Sequence, residues 1–384
     1  MIQIAAQRFQ EAGKILKRLP FAKSSLPVLS HVELRAKGET ATLAVTDLNL
    51  RLEVRVRLSA PLSKAATMLI PSDAFRAAMK ADRDSEISFT HRLLGELHNL
   101  HLSSRCGGIA IQANYPTLPA GEFSARPTIE GPSTLLPAKT FESLAQVSAA
   151  ASHDVSREVL NGVFFSPEDG GMLIATDGKR LAGLPATVPR SAEFVLPNAA
   201  VKVLAHRHFI SQASTITISG KGEEQLVSFH TKNAILISQT IEGRFPKWKQ
   251  VVPRESRASA MLAEKERKSL HSWLASLKGA DNSVTLRSNK HDMLEVIHAL
   301  KGVVMATVEV PIEAEGDLPP IQLEPKFLAT ALSLGETLCF TDSMSPLVAR
   351  SREGVFCVVM PMRLTVLPKE ETKAEEKTPL AAAA

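Results

Sequence analysis

Apolar and polar residues alternate strictly through the stretch "LRLEVRVRL" at positions 50–58. Its leucines and valines fall on one side of an extended chain, while Arg51, Glu53, Arg55 and Arg57 fall on the other. This period of two predicts a β-strand that packs one face against a core.

A longer period appears in segment 8–19, where apolar side chains recur every three or four residues. That spacing predicts an amphipathic helix, because residues three and four apart share one helix face. Further apolar runs begin at Pro71, Pro197 and Pro325, and proline is tolerated in the first turn of a helix. The apolar face of the first helix consists of Phe9, Ala12, Ile15, Leu16 and Leu19.

The chain contains an internal repeat. "LNGVFF" at 160–165 matches "LSHVEL" at 29–34, and "LIATDGKR" at 173–180 matches "LAVTDLNL" at 43–50, at offsets of 131 and 130 residues. Matches in the same order at nearly one offset indicate a tandem duplication, and a fainter third copy includes "PIQLEPKFLATAL" at 320–332. We expect three tandem domains, each an antiparallel sheet with two helices, which is an α+β fold.

Domain boundaries are predicted where Pro, Gly, Ser and Arg cluster. The last twenty residues have almost no β-branched or aromatic side chains, a composition typical of disorder. The predicted domains are 1–128, 134–253 and 258–364, followed by a disordered tail at 365–384.

Composition excludes several classes of protein. No apolar run approaches the roughly 18–20 residues of a membrane span, and the N-terminus lacks the layout of a signal peptide. The three cysteines form no metal or redox spacing, so we expect a reducing cytoplasm. A net charge of +5 permits a polyanionic partner but does not require one.

The motifs of common enzyme classes are missing. The sequence lacks a GxxxxGK[ST] phosphate loop and the HExxH, GxSxG and GxGxxG patterns, so we expect no catalytic residue, no metal and no cofactor. An alternative from another class is a metal-dependent hydrolase or nuclease that uses Asp177 and nearby acids. However, Thr176-Asp177 repeats Thr46-Asp47 at the equivalent strand end, which favours an aspartate that braces a turn.

The predicted helices carry more cations than anions. If all of them faced one surface, that surface would be a basic band suited to sequence-independent attraction of phosphates. The alternative is that these lysines and arginines are scattered over solvated helix faces and have no role in binding.

Seven stretches, in order, resemble the bacterial β sliding clamp of replicative DNA polymerase III. The resemblance covers about residues 1–364 and is weakest across 255–318. It implies a three-domain chain that pairs head to tail into a homodimeric ring, with helices lining the hole and sheets outside. The stretches are "SSLPVLSHVEL", "TDLNLRLEV", "LNGVFF", "LIATDGKRLA", "IEGRFPKWKQVVP", "FTDSMSPLV" and "VVMPMRL".

The implied function is topological and non-enzymatic. A ring around duplex DNA contacts phosphates without reading sequence, and it raises the effective concentration of a polymerase tethered to it. No membrane partner is implied. Lys23 is assigned to the DNA side by the resemblance, and the other lining residues by helix placement. The predicted DNA-lining residues are Lys14, Lys17, Lys23, Arg76, Lys80, Lys202 and Arg207.

The resemblance also implies an apolar pocket for short peptides of polymerase subunits and of the clamp loader, which carry glutamine, leucine and phenylalanine. Leucine, valine, proline and adaptable methionine side chains suit such a groove. The implied members are Arg157, Leu160, Thr176, Gly178, Lys179, Arg180, Leu181, Pro246, Val251, Phe327, Pro346, Val358, Met360 and Met362.

Three features depart from the family. The chain is basic where the family is commonly acidic, it continues for twenty residues beyond the closing "MPMRL", and its match across 255–318 is poor. These departures keep open the alternative of a specialised clamp, associated with a mobile element or with resistance, that does not serve the main replicase.

Overall fold

The computed structural model describes residues 1–19, 21, 26–191, 193–220, 222–277, 279, 281–289 and 292–364, so the predicted tail lies outside the described residues. The chain forms two compact units. The first contains Met1–Val251 and Arg352–Phe356, and the second contains Val252–Ser351 and continues from Cys357.

The first unit holds fourteen strands and five helices among its described residues. Its strands are β1 (Ile2–Ala5), β2 (His31–Thr46), β3 (Leu50–Pro71), β4 (Glu86–Leu94), β5 (Leu97–Cys106), β6 (Ile109–Pro116), β7 (Ser133–Leu136), β8 (Gly162–Ser166), β9 (Met172–Thr176), β10 (Arg180–Pro185), β11 (Phe194–Pro197), β12 (Ser214–Ser219), β13 (Leu226–His230) and β14 (Ala234–Gln239). Its helices are α1 (Ala6–Leu16), α2 (Ser72–Ala78), α3 (Ala138–Val147), α4 (Asn198–Leu204) and α5 (Arg207–Ile210).

The second unit holds two helices and nine strands among its described residues. Its helices are α6 (Glu264–Ser276) and α7 (Pro325–Leu334). Its strands are β15 (Ala258–Met261), β16 (Asn282–Asn289), β17 (Met293–Leu300), β18 (Val303–Pro311), β19 (Glu313–Glu315), β20 (Ile321–Leu323), β21 (Thr337–Phe340), β22 (Leu347–Arg350) and β23 (Phe356–Val359), the last of which straddles the division between the units.

Antiparallel sheets dominate both units. In the first unit the strand orders are β1-β4-β5-β6, β2-β3-β14-β13-β12-β7 and β11-β8-β9-β10; in the second they are β18-β17-β16-β20 and β22-β21-β15-β19. The six-stranded sheet joins the first two predicted domains, because β3 pairs with β14 with Leu52 opposite Leu236. The α+β class is therefore confirmed, while the division into three domains stays a prediction.

The alternating stretch 50–58 forms the first part of β3, a strand of 22 residues. Its leucine and valine row is buried, as predicted, and α1 packs against this strand. Two members of the opposite row, Arg51 and Glu53, are buried as well, which the alternation did not predict.

The proline positions predicted to open helices are confirmed. Pro71 and Pro197 are the residues immediately before α2 and α4, and Pro325 is the first residue of α7. The helix predicted over 8–19 begins earlier, at Ala6, and ends at Leu16. No helix in the described part of the chain is both long and apolar enough to cross a membrane.

One turn occurs twice with the same hydrogen bonds. After β2, the Asp47 Oδ1 atom accepts from the amides of Asn49 and Leu50 at 3.0 and 2.7 Å. After β9, the Asp177 Oδ1 atom accepts from the amides two and three residues later, both at 2.9 Å. The residue after each aspartate has a left-handed backbone, with φ 83° at Leu48 and 87° at Gly178.

Glycine adopts this backbone without steric cost, whereas leucine is strained in it. Leu48→Gly is therefore expected to stabilise the protein by about 0.5–1 kcal/mol, because the strain that is relieved in the folded state exceeds the conformational entropy that glycine adds to the unfolded state. The reciprocal change Gly178→Leu is expected to destabilise by about 1–2 kcal/mol. Urea unfolding measures both. Asn49→Gly is the control, and a gain there equal to that at Leu48 would contradict the strain explanation.

Candidate functional site

The turn between β9 and β10 carries four of the predicted pocket residues. The Thr176 hydroxyl donates to the carbonyl of Arg180 at 2.6 Å and accepts from the amide of Gly178 at 3.1 Å. The Asp177 carboxylate braces the same turn and also accepts from Arg180 Nε at 3.0 Å. Since its oxygens are engaged in this way, Asp177 has a structural role, which removes the basis for a hydrolase that uses it.

Arg157 lies over this turn. A Cβ atom at Gly178 would come within 2.9 Å of Arg157 Nη1, so a side chain there would displace the guanidinium from the turn. Arg157 also pairs with Asp154 at 3.5 Å. Hydrogen bonds from the hydroxyl and amide of Ser156 hold the pKa of Asp154 below its usual range, so this carboxylate stays charged beside the arginine at neutral pH.

The predicted members in the first unit divide into buried and exposed residues. Leu160, Thr176 and Leu181 are buried, and Leu181 lies directly opposite Thr176 in the β9–β10 pairing. Arg180 is half-buried. The remaining members are exposed and could meet a ligand: Arg157, Gly178, Lys179, Pro246 and Val251.

Aromatic stacking fixes the segment that holds Pro246 and Val251. The Trp248 ring stacks on Phe356 with centroids 5.8 Å apart, and the Trp248 amide donates to the carbonyl of Pro246 at 2.7 Å. A Cβ at Gly183 would lie 2.3 Å from the Phe356 ring, so the close approach of this ring to β10 requires glycine.

The second unit holds five predicted members. Phe327 on α7 and Val358 on β23 are buried, Pro346 is half-buried, and Met360 and Met362 are exposed. The Met362 amide donates to the carbonyl of Gln322 at 2.7 Å, which anchors the closing segment beside β20.

Six predicted DNA-lining residues are described, and Lys23 lies outside the described residues. All six side chains are exposed on or next to α1, α2, α4 and α5: Lys14, Lys17, Arg76, Lys80, Lys202 and Arg207. Arg76 is partly neutralised by Asp73 at 3.2 Å.

Two histidines beside Arg207 do not add to this positive charge. Burial lowers the pKa of His206 first, and the charges of Arg18, His208 and Arg207 lower it further. Burial also lowers the pKa of His208. Both imidazoles are therefore neutral at neutral pH.

Sequence reasoning missed two sheet edges. β6 ends one four-stranded sheet and β18 ends another, and nearly every residue of each strand is exposed or half-buried. Both strands begin with exposed apolar side chains, which an isolated surface would not favour. They are Ile109 and Ile111 on β6, and Val303, Val304 and Met305 on β18. The sequence shows these apolar residues but not their exposure, which depends on the place of each strand in its sheet.

Within the described ranges, no group of three or more His, Cys, Asp or Glu side chains could hold a metal ion. The exposed surfaces of the described residues offer apolar side chains, basic helices and the outer edges of two sheets. These features suit the binding of peptides, phosphates and strands.

Comparisons with known proteins agree on one class. Residues 135–247 match the family described as DNA polymerase III beta subunit, central domain. The beta sliding clamp of Chlamydia pneumoniae is 25% identical over 370 residues, which cover 92% of this chain and 97% of that protein. The beta sliding clamp of Haemophilus influenzae is 26% identical over 376 residues, covering 89% and 94%.

A solved structure has the same fold. The DNA polymerase III beta subunit of Thermotoga maritima superposes with a TM-score of 0.78 at 22% identity, covering 95% of this chain and 99% of that one. The class of protein that the chain resembles over most of its length is thus the bacterial beta sliding clamp. Residues 135–247 match the central-domain family, and the likeness of the chain to beta sliding clamps agrees with the resemblance that its motifs predicted.

Proposed function

We propose that two copies of this chain close head to tail into a ring around duplex DNA in the cytoplasm, and that the ring tethers the replicative polymerase for processive synthesis. A heterologous contact that closes after two subunits leaves no free ends. Phosphate contacts from exposed helical cations are independent of sequence, which permits sliding.

The free edges of β6 and β18 are the observation that carries this proposal. An exposed edge strand presents unpaired backbone amides and carbonyls that another chain can pair with. If β6 of one copy pairs with β18 of the other, the apolar side chains at their ends are buried together. The same contact made twice closes the ring.

Stimulation of a polymerase tests the role in replication. Loaded onto circular primed DNA with a clamp loader, the protein is expected to lengthen the products that the replicative polymerase makes in one binding event. A protein that loads without lengthening them would favour the specialised clamp, an alternative that the names of the reported relatives do not support.

The peptide pocket belongs to the same proposal. The exposed apolar members are Val251 in the first unit and Met360 and Met362 in the second, and each is a candidate contact for the leucine or phenylalanine of a partner peptide, since apolar and adaptable methionine side chains suit varied partners. The Thr176 turn and Arg157 would hold the polar end of the peptide, because they supply a hydroxyl, amides and a guanidinium.

Val251→Asp is expected to weaken binding of a peptide that carries glutamine, leucine and phenylalanine at least about tenfold, because a carboxylate would have to be desolvated against an apolar partner. Fluorescence anisotropy of a labelled peptide measures the dissociation constant. Leu135→Asp is the matched control, since Leu135 is also an exposed apolar residue but lies on β7. Equal weakening by both variants would contradict the assignment of Val251.

A further inference from the structure

A concave site lies on the six-stranded sheet where the two repeats meet. It is a cleft of about 470 Å³ formed by β2, β3 and the turn from β13 to β14. Glu53 on its wall belongs to the row of β3 opposite the buried Leu52 and Val54. None of the predicted peptide pocket residues or DNA-lining residues belongs to its described lining.

Positive charge dominates the cleft. Five lysines and arginines line it, against one carboxylate. The cations are Arg35, Lys37, Arg55, Arg126 and Lys232, and the carboxylate is Glu53.

Ion pairs within the protein neutralise only part of this charge. Glu53 is 2.9 Å from Arg35, 2.8 Å from Arg51 and 3.7 Å from Arg126. Glu33 pairs with two of the same guanidiniums. Three guanidiniums thus face two carboxylates, and this network keeps one excess positive charge.

Three further cations add to the excess. Lys37, Arg55 and Lys232 are exposed, and no carboxylate of the described residues lies within 4.0 Å of their charged groups. Threonine hydroxyls at Thr40, Thr42 and Thr67 complete the lining with neutral hydrogen-bond donors. Guanidinium, ammonium and hydroxyl groups together match the oxygens of a phosphate.

We propose that this cleft binds a short oligophosphate, either free or as the phosphates of a nucleotide. Its volume falls in the range of small-molecule sites, about 300–1,000 Å³. The described lining holds no phenylalanine, tyrosine or tryptophan, and its one aromatic ring is the half-buried imidazole of His230, which is 3.0 Å from the Ser228 hydroxyl, so recognition rests on the phosphates. This site goes beyond the clamp function, because neither a closed ring nor DNA is needed to form it.

Calorimetry with sodium tripolyphosphate on the full-length protein tests the proposal. The wild type is expected to bind one tripolyphosphate per chain, and Arg55→Glu/Lys232→Glu is expected to weaken binding at least tenfold. The matched control is Arg92→Glu/Arg190→Glu, which makes the same change of charge at two exposed arginines outside the cleft and should leave binding within twofold.

Three other ligands separate the possible sources of the phosphates. If adenosine triphosphate competes for the cleft as strongly as tripolyphosphate does, and adenosine does not compete, the result would support recognition through phosphates alone. The proposal is overturned if the wild type does not bind tripolyphosphate, or if both double variants weaken binding equally. It is also overturned if adenosine binds, or if single-stranded oligothymidylate occupies the cleft and tripolyphosphate cannot displace it.

Discussion

Replacing Ile109 with aspartate is expected to convert the dimer, about twice 41.5 kDa, into a monomer of 41.5 kDa. Ile109 opens the edge strand β6 and is 70% exposed in the single chain. In the proposed ring this side chain is buried against β18 of the other copy. A carboxylate there would be desolvated without a partner, which costs about 3 kcal/mol per contact and weakens the dimer at least about a hundredfold.

The control for this prediction has the same exposure on another strand. Leu97 is also 70% exposed, but it opens β5, which lies inside the four-stranded sheet. Leu97→Asp is therefore expected to remain a dimer in light scattering at the same protein concentration. If Ile109→Asp and Leu97→Asp are both dimers, or are both monomers, the β6 edge is not the interface.

The second large effect concerns the buried charges of β2 and β3. Arg51→Leu is expected to destabilise the protein by about 3–5 kcal/mol, because it leaves two buried carboxylates with fewer cations. The Arg51 guanidinium donates to Glu53 at 2.8 Å, to Glu33 at 2.6 Å and to the carbonyl of Ser124 at 2.8 Å. Arg51 and Glu53 side chains are each only 4% exposed.

A neighbouring pair gives a matched control in the same strands. Arg57 is 3.2 Å from Glu39, with both side chains 67% exposed. Exposed pairs contribute little, so Arg57→Leu is expected to change the free energy of unfolding by less than about 0.5 kcal/mol. Urea unfolding measures both variants. If Arg51→Leu costs no more than Arg57→Leu, the buried network does not hold the two strands together.

Replacing the whole network offers a further check. In Arg51→Leu/Glu33→Leu/Glu53→Leu no buried carboxylate is left behind, so we expect this triple variant to be more stable than Arg51→Leu alone. A triple variant that is less stable would mean that the charges contribute net stability through their pairing.

The strand that carries Arg51 could be predicted from the sequence only in part. The alternation of 50–58 correctly predicts a strand and its apolar face, because side chains of a strand alternate with a strict period of two. It cannot predict that Arg51 is buried, since what covers it is Phe123, whose ring lies 5.1 Å from the guanidinium, and the carbonyl of Ser124, 73 residues away. Such burial depends on tertiary packing.

The candidate site shows the same limit. The repeated Thr-Asp pair predicts a braced turn, and the hydrogen bonds of Asp47 and Asp177 confirm it. The sequence does not predict that Arg157 rests over Gly178, nor that β6 is the last strand of its sheet. Strand order is set by pairings between distant segments, so an apolar strand cannot be assigned to an edge from its own residues.

Retention on circular and on linearised DNA tests the central claim most directly. The protein is loaded onto nicked circular duplex DNA, freed of unbound protein by gel filtration at high salt, and half of the sample is then cut once. A ring is held by topology rather than affinity, so we expect the protein to stay with the circle and to be lost from the linear molecule. Equal retention on both forms, or loss from both by a protein that is dimeric in solution, would contradict the account.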